Sequence, residues 1–143
     1  MNQLEKQYKS LPLQARIDMA LAENIPSEYR KYIACDQWNV IRCYFSRRAD
    51  LSKNEVEILI KDDDYVIRLS IAKRNDLTNE QVQHCVDDAD PNVRHAIARN
   101  VLLTEKQREK LVDDIDELVQ KAARKGPRKM QFRQRHGQAR LVR

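Results

Sequence analysis

Asp36 and Arg42, Asp62 and Arg68, and Asp88 and Arg94 form three acid–base pairs with the same six-residue separation. Paired ionic groups can serve acid–base chemistry, but an active site needs one asymmetric constellation, and this one is copied. In steps of 26 residues, Arg94 is preceded by Arg68, Arg42 and Arg16, while Asp88 is preceded by Asp62 and Asp36 and followed by Asp114. A ladder of equivalent pairs fits hydrogen bonding between stacked copies of one unit, so these residues are expected to be structural.

A second set of cations recurs at the same interval: Arg47-Arg48, Lys73-Arg74, Arg99 and Arg124-Lys125. Stacking would align them into a basic edge, a rail that tracks phosphates and runs on into the C-terminal segment. The plainer reading is helix-dipole complementarity, in which a cation near a helix C-terminus contributes roughly 0.3–1 kcal/mol. The opposite corner carries Asp62-Asp63-Asp64, Asp87-Asp88 with Asp90, and Asp113-Asp114 with Asp116. Nucleic acid is therefore expected to avoid one edge and visit the other.

The C-terminal segment opens with Gly126-Pro127, holds Arg128, Lys129, Arg133, Arg135, Arg140 and Arg143, and contains no acid. Of the 27 cations, nine follow Glu117, the last of the 22 carboxylates; the segment after it carries +9 and the body −4. A segment of this composition is predicted to be flexible when free. Arginine predominates over lysine, and Phe132 and His136 are interspersed, which favours RNA or ribonucleoprotein by forked phosphate binding and base stacking. A solvated basic tail is the bland alternative.

These groups must be positioned by helices. Apolar content is 41%, with only two glycines and four prolines, and the β-branched residues fall at helical and not alternating spacing,. Leu51, Leu77 and Leu103, with Ile25, form an apolar column at the 26-residue interval. Two helices are predicted per unit. The first follows Ser52, Thr78 or Thr104, where Glu55, Gln81 and Gln107 complete capping boxes; Pro26 and Ser27 open the corresponding helix of the preceding unit,. The second starts at Asp64 or Asp90 as N-cap, with Pro91 at the first helical position,. Val56, Leu59 and Ile60, then Val82, Cys85 and Val86, form inward stripes, as do Val40, Ile41, Tyr44 and Phe45 in an earlier unit,. Trp38 stands where other units have Asp, and it is expected to be a packing anchor more than a platform for a stacked base.

The chain is thus predicted to be an all-α solenoid of about four to five 26-residue, two-helix repeats spanning 1–126,. A half-repeat covers 10–24, full repeats cover 25–50, 51–76, 77–102 and 103–126, and a flexible basic tail covers 127–143. The pattern L-[ST]-x-x-[EQ] followed by D-x-D-x-x-[VI]-R-x-x-[IV]-A, seen from Leu51 to Ala72 and Leu77 to Ala98, resembles the leucine-rich repeat variant family, a short relative in style of HEAT repeats. The resemblance implies a right-handed superhelix in which an α-helix alternates with a shorter, partly 3₁₀ helix. Some members of that family bind an iron–sulfur cluster through N-terminal cysteines; no such cluster of cysteines occurs here, and no cofactor is expected.

Cys35, Cys43 and Cys85 are odd in number and form no C-x-x-C pair, which suits a reducing compartment and a cytoplasmic location,. No N-terminal apolar run follows a basic start and no apolar stretch is long enough to span a membrane, so neither a signal peptide nor a membrane span is expected,. His84, His95 and His136 lack metal-ligand spacing, and no phosphate loop or nucleophile motif is present,. A glycosylase-like site built on Trp38 and an aspartate would need a larger stack. The expected function is non-catalytic binding of RNA or a ribonucleoprotein through Arg47, Arg48, Lys73, Arg74, Arg99, Arg124, Lys125 and the tail. The alternative is an adaptor or inhibitor whose tail docks on an acidic protein surface.

Overall fold

The computed structural model describes residues 1–143, and it is mostly helical. The helices follow in chain order: α1 (Gln3–Ser10), α2 (Leu13–Leu21), a 3₁₀ turn (Ser27–Tyr29) that packs on α1 and runs into α3 (Arg30–Ala34), and α4 (Asn39–Ser46), which pairs with α3. The later pairs are α5 (Lys53–Leu59) and α6 (Tyr65–Ala72), α7 (Asn79–Val86) and α8 (Pro91–Ala98), α9 (Glu105–Val112) and α10 (Glu117–Lys125). The only sheet joins β1 (Phe132–Arg133) to β2 (Leu141–Val142), antiparallel. No helix is long and apolar enough to cross a membrane.

Local chemistry explains where the helices begin. Ser52, Thr78 and Thr104 each accept from the backbone N–H three residues on, and Glu55, Gln81 and Gln107 reach back to the cap N–H, so all three capping boxes form,. Asp64, Asp90 and Asp116 cap α6, α8 and α10 through their carboxylates,. Ser27 makes no capping bond, and the chain there winds first as 3₁₀.

Each helix buries one face. Leu59, Ile60, Ile67, Ile71, Val82, Cys85, Val93 and Ile97 have at most 1% of their surface exposed and belong to one continuous core. Burying each such Val, Ile or Leu contributes about 1.5–3 kcal/mol. The second helices touch in series, α2 with α4, α4 with α6, α6 with α8, and α8 with α10. Ser46, Ala72 and Ala98 are fully buried, and small side chains at this position let the helix backbones approach closely.

Two expectations change at α4. Trp38 caps without a side-chain bond and is 48% exposed, and Val40 is 37% exposed. The inward direction is taken by Ile41 and Phe45, one turn apart,. Trp38 and Val40 lie off that direction and are left at the surface, so Trp38 is no buried anchor. The start of the chain is also more ordered than a half-repeat requires: α1 forms, and Tyr8 is buried with its hydroxyl donating to Asp36 at 2.6 Å.

Candidate nucleic-acid interface

The Asp/Arg columns are joined across units. Arg42 grips Asp62 with two nitrogens at 2.7 and 3.1 Å and donates to the Asp36 carbonyl at 2.6 Å. Arg68 does the same to Asp88 and the Asp62 carbonyl, and Arg94 to Asp114 and the Asp88 carbonyl. Arg16 reaches Asp36 in the N-terminal unit. Each aspartate also accepts the N–H two residues on. Burial works to raise the Asp114 carboxyl, but the Arg94 bond and the Asp116 N–H outweigh it and hold the group below the usual carboxylate range,. These side chains spend their hydrogen bonds on one another and leave little for a ligand.

The second set of cations divides by a single residue. Arg48 is fully buried, and its guanidinium donates to the carbonyls of Ala20, Ala22 and Glu23 and pairs with Asp50. Arg74 repeats this one unit on, donating to the Arg48 and Ala49 carbonyls and pairing with Asp76. Asn100 continues the column, donating to the Ala72 and Arg74 carbonyls at 2.8 Å. At Gly126 the column has no side chain, and Arg108 reaches from α9 to the Ala98 and Ala123 carbonyls. Arg48 and Arg74 were expected on the basic edge. They are instead enclosed, because orphan carbonyls at the ends of successive second helices need donors and a guanidinium supplies several.

The neighbouring column, Arg47, Lys73, Arg99 and Lys125, keeps its charge at the surface, where no ion pair forms to any of the four. Arg47 makes only a long contact to the Cys43 sulfur.

The tail is not free, which corrects the expectation of a flexible segment. Gly126 and Gly137 adopt positive φ, at 83° and 76°, a region in which glycine carries no steric penalty,. Gly126 ends α10, and Gly137 lies at the far turn of the tail. Between them the segment runs back over the ends of the second helices. The Arg128 N–H donates to the Arg99 carbonyl at 2.7 Å, and the Ala139 N–H donates to that of Leu21 at 2.9 Å. On the return, the Ala49 N–H donates to the Arg140 carbonyl and the Val142 N–H to that of Arg47. Ala139, Leu141 and Val142 are buried, at 5–6% exposure. Backbone pairing and this small apolar face hold the tail, while Arg128, Lys129, Arg133, Arg135, Arg140 and Arg143 stay exposed and without ion pairs. Phe132 is half-buried and its face is occupied by the Arg140 guanidinium, 3.6 Å from the ring centre, so it is no open stacking platform.

Helices and tail together enclose a groove of about 930 Å³ over α6, α8 and α10. Its cations are Lys73, Arg99, Lys121, Arg124, Lys125, Arg128, Lys129 and Arg143, and no carboxylate lines it. Lys73 lies at the rim; partial loss of hydration, then the charges of Arg47 and Arg128, push it below the ordinary lysine value,. Arg47, Arg133, Arg135 and Arg140 lie outside the lining. Lys121 and His95 were missed as site residues; they share a column with Leu69 at the 26-residue interval, so only the later copies carry polar groups. Comparisons with protein-family models, with curated proteins and with solved structures find no match.

Proposed function

We propose that this chain is a non-catalytic α-solenoid, right-handed and of the leucine-rich repeat variant or HEAT-like style, that binds nucleic acid, RNA foremost, through the groove over α6, α8 and α10. The repeat reading is supported by the serial contacts of the second helices and by bonds that recur at the repeat interval. The observation that carries the binding reading is the convergence of eight cations in one groove with no carboxylate in its lining. Ordinary surfaces intersperse both signs, and unopposed cations raise the local concentration of a polyanion. Affinity from such contacts is salt-dependent because counterions are released; with six or more phosphates engaged it falls roughly 10³-fold or more between 50 and 200 mM salt.

The test is anisotropy of a labelled RNA on the intact chain at both salt concentrations, beside the variant Lys73→Glu/Arg99→Glu/Lys125→Glu. Binding should be steep in salt and abolished in the variant, with helical content and melting retained. Salt-insensitive binding, or binding that survives the charge reversal, overturns the reading. Pull-downs with and without nuclease separate RNA from an acidic protein partner: partners that persist after nuclease assign the groove to protein.

A further inference from the structure

Building on the nucleic-acid reading, we infer that the groove takes an end and not a passing strand: its ligand is a run of adjacent phosphates, as in the 5′-triphosphate of an RNA or a free nucleoside triphosphate.

The tail sets this limit. A strand following Lys125, Arg99 and Lys73 toward the N-terminal units would next reach Arg47, and there the inner surface is already covered. Backbone bonds at Leu21, Glu23, Arg47 and Ala49 hold the tail down, and its own Ala139, Leu141 and Val142 are buried. The open surface is therefore confined to three units and stops at a wall of protein.

Charge density points the same way. Of the eight cations only Lys121 pairs with a carboxylate, Glu117 at 3.6 Å, and both of those side chains are more than half exposed. A groove of about 930 Å³ is the size of a small-molecule site, at the upper end of the range of roughly 300–1,000 Å³,. A phosphodiester strand brings one charge per nucleotide into such a volume, whereas a triphosphate brings several on adjoining phosphorus atoms. Arg99, Arg124, Arg128 and Arg143 supply planar forks, which bind phosphate oxygens in pairs,.

The lining contains no Phe, Tyr or Trp, and His95 is its one aromatic ring against eight cations,. Ala96 and Ala122 are its small residues, one repeat apart on α8 and α10. Recognition is accordingly dominated by phosphate and not by base.

The experiment compares, on the intact chain, two RNAs of one sequence of about 20 nucleotides, one with a 5′-triphosphate and one with a 5′-hydroxyl, at about 0.15 M salt, with inorganic tripolyphosphate as competitor. The triphosphate RNA should bind at least roughly tenfold tighter, tripolyphosphate should displace it, and Arg99→Gln/Arg128→Gln should weaken the triphosphate RNA more than the hydroxyl RNA, so that the preference is lost. Equal affinity for both RNAs overturns this inference and leaves the nucleic-acid reading standing. Binding of tripolyphosphate with no binding of either RNA keeps the phosphate site, assigns it to a free ligand and overturns the RNA reading. Failure of all three probes overturns both.

Discussion

Lys73 and Arg74 are neighbours in the chain, carry the same charge and meet opposite fates. Arg74 is 2% exposed, bonded to the Arg48 and Ala49 carbonyls and paired with Asp76, while Lys73 faces outward with no carboxylate partner. Arg48 and Arg47 repeat the contrast one unit earlier. A position after the last turn of a helix either points back at the carbonyls of the preceding unit or out over the ends of the helices, and one residue of offset decides which. Cations of the first kind hold units together. Those of the second kind repel one another, a cost set against the favourable interaction each makes with the dipole at its helix end,.

Breaking the enclosed member should have the largest effect. Arg74→Ala removes the donors from the Arg48 and Ala49 carbonyls and leaves a void in the packed interior,. The expected cost is about 3 kcal/mol, read as a lowered urea midpoint with unchanged slope. Arg99→Ala, in the outward column, should stay within about 0.5 kcal/mol. Equal costs would erase the distinction between the columns.

The tail lies between these extremes, since it is held by buried side chains and also carries free charge. Leu141→Asp places a carboxylate at a site 6% exposed and should undock the hairpin at a cost of about 2 kcal/mol,. Amide exchange at Ala139 and Val142, whose N–H groups donate to the Leu21 and Arg47 carbonyls, should accelerate while exchange in α6 to α10 is unchanged,. Unchanged protection at Ala139 and Val142 would show that the tail is held by something other than its apolar face.

How much of this was readable in the sequence follows from the range of each interaction. The capping boxes at Ser52, Thr78 and Thr104 join residues three apart, and the apolar columns share a fixed period, so helix starts and inward faces could be read directly. The Asp/Arg ladder was legible as a repeat, although its partners are 20 residues apart and not the six that the eye first pairs. Docking of the tail was hidden, because it depends on backbone groups more than 80 residues distant, as between Val142 and Arg47, and on three apolar residues scattered among arginines. The division of Arg47 from Arg48 was hidden too, since periodicity locates a column but gives no direction at a helix end.

Acid should distinguish the two kinds of charge with a smaller effect. Asp64 is held below the usual carboxylate range first by the Asn39 amide and then by the Val66 N–H, and Asp114 by Arg94 against the opposing pull of burial. A carboxyl whose folded pKa lies below its unfolded value contributes stability that is full above the unfolded value and is lost as pH falls through the folded one. Stability should therefore be flat from pH 7 to about 5 and decline below about 4, as Asp64 and Asp114 protonate,. In Asp114→Asn that decline should be shallower. A decline equally steep in Asp114→Asn would remove the Arg94–Asp114 pair as its source.

The smallest effect has the most telling sign. Lys73 is pushed below the ordinary lysine value by loss of hydration and by Arg47 and Arg128, so folding disfavours its charge. For a lysine with a depressed folded pKa, the penalty is present at neutral pH and is relieved as pH rises through that value. Lys73→Met removes the charge and keeps much of the stem, so it should leave stability unchanged or raise it by up to about 0.5 kcal/mol, a modest gain because the side chain is exposed and screened. The same substitution should weaken RNA binding and reduce its salt slope by about one. Stability and affinity would then move in opposite directions at one residue, as expected of a charge kept for a ligand. If Lys73→Met instead destabilises the fold by 1 kcal/mol or more and leaves binding intact, the outward column belongs with the enclosed one, and the groove loses its claim to function.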